Sequence, residues 1–404
     1  MITLFSFGFL QIFSKLLKAS FELLPMVIFG ASEYATFLVI LSAIMITSKF
    51  LSFGLPNAQI KYLSTGIKSL QVKIGYLMTI QMSLIMCFLP ILILLAFCLK
   101  LSQLTIFASA CYAMMLLMAG WVRSMDRPIL FTIAQDILFY VILIGFYIIL
   151  SNFISTGAEW SFLISSITIM AFIAKKCGFK RPLIKVKILK ITMKRIAITA
   201  IPMWLTGFGY MFISRYDVIF LTERVDGSVL GAYAFQVRII LQIMTIQQIF
   251  VSYFMSKVSR RITNGEPVST YLKRMLIASG VVTGIAILVF EAFIFRYPYF
   301  FNMMQISLEG VNSEQFKNVR YIYYTSLFFY SITFVFGYLI YYYGFAKIEY
   351  LNILGTLIGF YFLLPTLYDL YGLEGAAIAV GASIFITNLI QACELLWYFK
   401  IRKQ

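Results

Sequence analysis

The sequence predicts an all-α integral membrane protein of about twelve transmembrane helices in two pseudo-symmetric six-helix lobes, with both termini cytoplasmic. Three observations carry this. Hydrophobic residues make up 61% of the 404 and charged residues only 12%, where soluble domains carry roughly 25% charged residues. The apolar residues fall in long runs, the basic residues cluster on alternate connections, and the two halves of the chain echo each other.

The runs lie near 4–29, 34–55, 74–99, 102–122, 129–150, 158–174, 196–221, 229–255, 274–296, 321–343, 348–368 and 374–399. Each is long enough, at about 1.5 Å per residue, to cross a hydrocarbon core of ~30 Å. A lipid-exposed run must satisfy its own backbone hydrogen bonds, which selects a helix. The short alternating segments of a β-barrel are absent. The first run reads as a span and not as a cleaved leader, because Lys15, Lys18 and Glu22 sit in its middle and no basic segment precedes it. Five cysteines (Cys87, Cys98, Cys111, Cys177 and Cys393) lie in spans or beside them and suggest no disulfide framework. With no histidine anywhere, the commonest general base and metal ligand is missing, so no metal or other cofactor is expected.

Charge bias orients the spans. With the N-terminus inside, 23 of the 33 Lys and Arg fall on cytoplasmic segments, nine of them between Lys175 and Arg195, and five fall outside (Lys100, Arg224, Arg296, Lys317 and Arg320). Basic residues are retained on the cytoplasmic side during insertion, so this asymmetry sets the topology. It also accounts for the net charge of +17 without a nucleic-acid partner.

The longest cytoplasmic connection divides the chain into an N-terminal lobe (1–175), a basic linker (176–195) and a C-terminal lobe (196–404). Within the linker Ile184, Ile188 and Ile191 share helical spacing, with Lys187, Lys190 and Lys194 elsewhere on the wheel. That pattern suits an amphipathic helix on the inner leaflet, with a solvated basic loop as the alternative. The segment Ala31 to Phe37 after span one resembles Leu230 to Phe235 after span seven, and Gly157-Ala158-Glu159 resembles Gly372 to Ala377. Six spans per half, each half starting inside, gives parallel repeats related by an axis along the membrane normal. Two such lobes around a cleft would suit alternating access.

Five basic residues remain within spans: Lys15 and Lys18 in span one, Lys49 in span two, Arg215 in span seven and Arg238 in span eight. Each costs ~2.5–3.5 kcal/mol at a helix centre on insertion scales, so they are expected to face water, counter-ions or a ligand. Gln11, Lys15, Lys18 and Glu22 line one side of span one, and Arg238, Gln242 and Thr245 repeat the i, i+4, i+7 spacing on span eight. Gln11, Gln242 and Thr245 are therefore candidate polar lining of a cationic cavity. Purely structural alternatives exist for several of these. Lys49 lies close enough to the cytoplasmic end to snorkel, Arg215 has Asp217 as a nearby counter-ion, and Lys18 and Glu22 can neutralise each other at i, i+4. Glu22 and Asp217 are candidates for proton or sodium coupling, with counter-ion duty as the alternative; Asp136, alone on span five, fits either. The tyrosines of span ten read first as interfacial anchors and second as a surface for sugar rings.

Several short stretches carry a family resemblance. Phe53-Gly54-Leu55-Pro56 at the end of span two resembles the GLP turn of bacterial polysaccharide flippases. An Asp in span seven followed by Leu230-Gly231-Ala232-Tyr233 through Arg238 is similar to their D…LGxYxxAxR stretch, and Tyr371-Gly372-Leu373-Glu374-Gly375-Ala376-Ala377 to their YGxxGAA segment. The ordered series resembles the Wzx-type O-antigen flippases of the multidrug/oligosaccharidyl-lipid/polysaccharide exporter superfamily, which includes the MATE exporters. The resemblance implies a MATE-like pair of lobes in the bacterial inner membrane, with helices one, two, seven and eight lining the cavity. It implies a polyprenyl-diphosphate-linked oligosaccharide as cargo, membrane lipids as surroundings and other O-antigen assembly proteins as candidate partners. It implies a transporter and not an enzyme. On it, Lys15, Lys18, Arg215 and Arg238 would meet the diphosphate, with Lys49 behind them; guanidinium grips phosphate bidentately and ammonium acts as a point charge.

There are two rival readings. A multidrug exporter of the same superfamily would favour an acidic cavity for cationic drugs. A membrane O-antigen polymerase would need a long external loop, whereas Tyr297 to Arg320 spans only 24 residues. The topology is open to a direct check: alkaline phosphatase fused within 297–312 is expected to be active, and a fluorescent protein fused after Gln404 to fold in the cytoplasm. The reverse result at either site would refute the orientation.

Overall fold

A computed structural model describes residues 2–54, 56, 85, 102–124, 128–177, 200–201, 204–244, 269–295, 313–343 and 346–402. Those residues are helical or in turns, with no strand among them. In chain order the helices are α1 (Ile2–Phe29) and α2 (Ala31–Leu51), α3 (Gln103–Ser124), α4 (Pro128–Thr132) and α5 (Phe139–Ser151), α6 (Gly157–Cys177), α7 (Trp204–Ile213), α8 (Tyr216–Leu221), α9 (Gly227–Met244), α10 (Ser269–Val289), α11 (Ser313–Tyr343) and α12 (Ala346–Arg402).

Among the described residues seven helical stretches are long and apolar enough to cross a membrane. One of them, Leu351–Glu394, has 44 residues, about 66 Å at the α-helical rise and therefore two bilayer thicknesses. Gly372 divides it with a non-helical φ of 60° and ψ of −135°, between the two spans expected at 348–368 and 374–399. The chain is a multi-pass membrane protein. Span three (apart from Ile85), most of the basic linker, and the ends of spans seven and eight, including Thr245, lie outside the described residues; so does the side chain of Gln11, whose backbone is helical.

Three expected spans are not plain α-helices among the described residues; span nine ends in a π-helical stretch, Phe290–Phe295, after α10. Span five is interrupted by a π-helical stretch, Ile133–Leu138, between α4 and α5. Span seven breaks between α7 and α8, where Arg215 takes φ −137° and ψ −17° and its N–H bonds the Phe212 carbonyl at 3.2 Å in a turn. Apolar periodicity cannot register these features, because none changes which residues are apolar.

The described residues gather into two compact units. The first contains Met1–Pro25 and Phe37–Met211, the second Met26–Thr36 and Phe212–Gln404. In the first unit α6 packs against α3 and α5, around Tyr112, Phe139 and Phe162 with ring centroids 5.0–5.9 Å apart. The turn after α2 places Phe53 at φ 46° and Gly54 at φ 66°. A Cβ on Gly54 would lie 2.6 Å from the Trp204 nitrogen, and the Trp204 indole N–H donates to the Phe50 carbonyl at 2.8 Å.

In the second unit α11 lies along α12 and beside α10. Polar side chains join the helices: Ser279 donates to the Ser331 carbonyl at 2.9 Å, and Asn352 to the Thr387 carbonyl at 2.9 Å. Such bonds are worth about 0.6 kcal/mol each within a membrane. The segments that echo each other in sequence also meet here. A Cβ on Gly231 would run into the Ala31 carbonyl oxygen, and the Tyr34 and Phe235 rings stand edge to face at 5.9 Å. The second pair of echoes shares a local role, each within its own unit. Gly157 abuts the last turn of α5 at Leu150 and Ser151, and Gly375 abuts Leu367 and Tyr368 before the Gly372 break.

Gly54→Ala is expected to cost about 1–3 kcal/mol, since a side chain there combines a left-handed backbone with a clash. Gly145, around which a Cβ meets open space, should accept alanine without loss. Thermal unfolding of the detergent-purified variants checks this; equal midpoints for the Gly54 variant and the unaltered chain would contradict it.

Candidate functional site

In the first unit the intramembrane charges gather around α1. Lys15 and Lys18 are half-buried and Glu22 is buried, one side of α1 carrying all three. Lys49 enters from the last turn of α2 and lies within Coulombic reach of both lysines. The Lys18 ammonium sits 5.1 Å from the centroid of the Tyr140 ring, a cation–π distance worth about 0.5–2 kcal/mol depending on desolvation. Asp136, buried in the π-helical stretch, joins this group. Together with Lys18 and Glu22 it lies within Coulombic reach of buried Tyr112. A π-turn inserts an extra residue and re-aims the side chains around it, and such turns are frequent at functional sites. The residue that stood alone on span five is thus part of the α1 cluster.

In the second unit a carboxylate occupies the centre. Asp217 is fully buried in the first turn of α8, just past the break in span seven. Tyr233 donates its hydroxyl to Asp217 Oδ2 at 3.0 Å and Tyr323 donates to the same oxygen at 3.4 Å, with 3.2 Å between the two hydroxyls. Its other oxygen, Oδ1, is buried with no hydrogen-bond partner among the described residues. The cation that faces Asp217 is Arg238 of α9, which is buried and donates to the Ser214 carbonyl at 3.2 Å. That bond closes on the helix break itself, so Arg238 serves backbone and carboxylate together. Arg215 is buried at the same break. Gln242, one turn beyond Arg238 on α9, is half-buried.

Lys15, Lys18, Lys49, Glu22 and Asp136 are brought together in one unit, and Arg215, Arg238 and Asp217 in the other. Four tyrosines belong with them that spacing did not single out: Tyr112 and Tyr140 in the first cluster, Tyr233 and Tyr323 in the second. Tyr323 is one of the span-ten tyrosines read as interfacial anchors. It is instead fully buried and bonded to Asp217, whereas Tyr321, two residues away, is exposed. Nothing in a run of neighbouring tyrosines marks which one turns inward; the packing of α11 decides it. Away from both clusters, Arg320 forms a two-point ion pair with Glu291, at 2.9 and 3.3 Å.

No protein-family model matches the chain, and no curated protein matches its sequence. Solved structures do match. The lipid II flippase MurJ, in an inward closed conformation, superposes with a TM-score of 0.72 at 15% identity, over 97% of this chain and 87% of that one. A point mutant of the Vibrio cholerae MATE transporter VcmN gives 0.64 at 15% identity, over 100% and 99%. An inward-facing multidrug resistance MATE transporter of the MOP superfamily gives 0.60 at 15%, over 98% and 93%. At such identities the likeness is one of fold, and the chain has the fold of these membrane flippases and exporters.

Proposed function

We propose that the chain is a flippase that moves polyprenyl-diphosphate-linked O-antigen units from the cytoplasmic to the periplasmic leaflet of the bacterial inner membrane. Support comes chiefly from one observation. On a fold shared with the lipid II flippase MurJ, the intramembrane cations gather into two polar clusters, one with buried Glu22 and Asp136 and the other with buried Asp217. Burying a cation is costly in hydrocarbon, and a cargo that carries a diphosphate through a low-dielectric path gives that cost a purpose. In this reading Lys15, Lys18 and Lys49 act as point charges on the head group, and Arg215 and Arg238 contribute guanidinium contacts. The apolar tail of the cargo stays in the bilayer while the head group passes. Alternating access carries the cargo, with Asp217 and Glu22 as the groups for proton or sodium coupling.

Reversing one charge, by Arg238→Glu or Lys15→Glu, should lower surface O-antigen at least tenfold at normal protein level, the scale of one charge-assisted phosphate contact of ~1.5–3 kcal/mol. Units should then accumulate on the cytoplasmic leaflet, and full activity would remove the site. A deletion strain sensitised to cationic drugs, with intact surface polysaccharide, would favour the multidrug exporter instead. For the coupling group, Tyr233→Phe is expected to destabilise the purified protein more than Tyr323→Phe, given the shorter bond to Asp217, and the double variant by less than the sum, since both serve one oxygen. Dissipating proton and sodium gradients separately in vesicles, with no loss of flipping in either case, would exclude coupling.

A further inference from the structure

The second unit holds a groove that neither polar cluster uses. It runs between α11 and the second half of α12, is open along one side and has a volume of about 460 Å³. Ligand pockets commonly fall between roughly 300 and 1,000 Å³. Its residues on α11 run from Tyr321 to Phe329, a helical rise of about 12 Å. Gly381 forms the floor: a Cβ there would strike the Ser326 hydroxyl, so the two helices touch at that point. The Phe329 and Phe385 rings, 5.3 Å apart, close one end.

The wall is apolar in practice as well as in composition. Thr325 Oγ1 donates to the Tyr321 carbonyl at 2.9 Å, and Ser326 Oγ to the Ile322 carbonyl at 2.8 Å. Both hydroxyls are committed to their own helix, leaving methyl, methylene and ring surface toward the groove. The Tyr321 end differs. Lys317, one turn earlier on α11, holds its ammonium 5.8 Å from the Tyr321 ring centroid and makes no ion pair among the described residues. Neighbouring charges are already engaged: Arg320 with Glu291, and Glu374 with Asn318 at 3.1 Å. Arg320 also lies at this mouth, 5.7 Å from the Tyr321 ring, but is held by Glu291, so Lys317 is the cation left to meet a ligand. An apolar slot with such a cation at one mouth matches a hydrocarbon chain that carries a phosphate at its end. Lys317 also lies on the side that charge bias assigns to the exterior.

We propose that this groove is a phospholipid site: one acyl chain of an anionic glycerophospholipid lies between α11 and α12, and its phosphate is met by Lys317. The proposal is independent of the cargo assignment. It is tested by native mass spectrometry of the purified full-length chain titrated with short-chain phosphatidylglycerol or phosphatidylcholine. Both head groups carry a phosphate, but choline's ammonium offsets it, so phosphatidylglycerol, with its net negative charge, should bind about tenfold tighter, roughly 1.4 kcal/mol of charge attraction to Lys317. Lys317→Gln should erase that preference and Lys317→Arg should retain it. Thr325→Trp, which fills the slot, should weaken both lipids; Ala382→Leu provides a second filling variant should the first not fold. Equal affinity for the two lipids, or unchanged binding in a folded filling variant, would overturn the proposal. Displacement of phosphatidylglycerol by a lower concentration of a polyprenyl phosphate would also overturn it, by assigning the groove to an isoprenoid chain. Because binding is read without transport, none of these results bears on flipping itself.

Discussion

Hydrocarbon offers the backbone no hydrogen-bond partner, and several interruptions of regular helix among the described residues are closed by something specific nearby. At the break in span seven, the Ser214 carbonyl is taken by Arg238 and the Arg215 N–H by the Phe212 carbonyl. After α2 the Phe50 carbonyl is taken by the Trp204 indole, and four aromatic rings, from Phe50, Phe53, Trp204 and Phe208, pack around the turn. Where α1 gives way to α2, Gly231 lets α9 approach the Ala31 carbonyl closely. In water such interruptions would be solvated cheaply. Here they need a donor, a ring or an absent side chain in a defined place.

The same constraint governs the charges. A lone ammonium or carboxylate within a span is expensive, so the polar side chains collect. The two clusters solve this differently. Around α1 the cations outnumber the carboxylates, and a tyrosine ring takes part of the load through its π face. Around Asp217 one carboxylate is held by two tyrosine hydroxyls and faced by one guanidinium. A break bonded through the residue that also faces the carboxylate ties local backbone geometry to the charge state of that site.

Small residues set where the helices touch. Gly157 and Gly375 each bring the start of a helix against the end of the one before it, and Gly381 presses α12 onto α11 at Ser326. Without a hydrophobic drive between helices in lipid, close packing and a few interhelical hydrogen bonds supply the attraction. The consequence in α11 and α12 is a contact point with an apolar slot beside it.

From the sequence alone the membrane character, the apolar runs and the basic residues that fall within them could be read. All of these follow from one-dimensional properties: the length of apolar runs and the places where charge falls. The pairing of echoed segments was also legible as likeness, since Ala31–Phe37 and Leu230–Phe235 share small and aromatic residues. What only the tertiary structure decided was which polar groups meet. Asp136, buried in a π-helical stretch, comes within reach of Tyr112 together with Lys18 and Glu22. Tyr323 reaches Asp217 while Tyr321 does not, because α11 turns one of them toward α8 and α9 and the other outward. Span seven breaks at Arg215, where Ser214, Arg215 and Asp217 interrupt the apolar run, but polar residues alone do not say whether a helix continues through them. Helical periodicity assigns a residue to a face, but the partner of that face is chosen by packing between segments far apart in the chain.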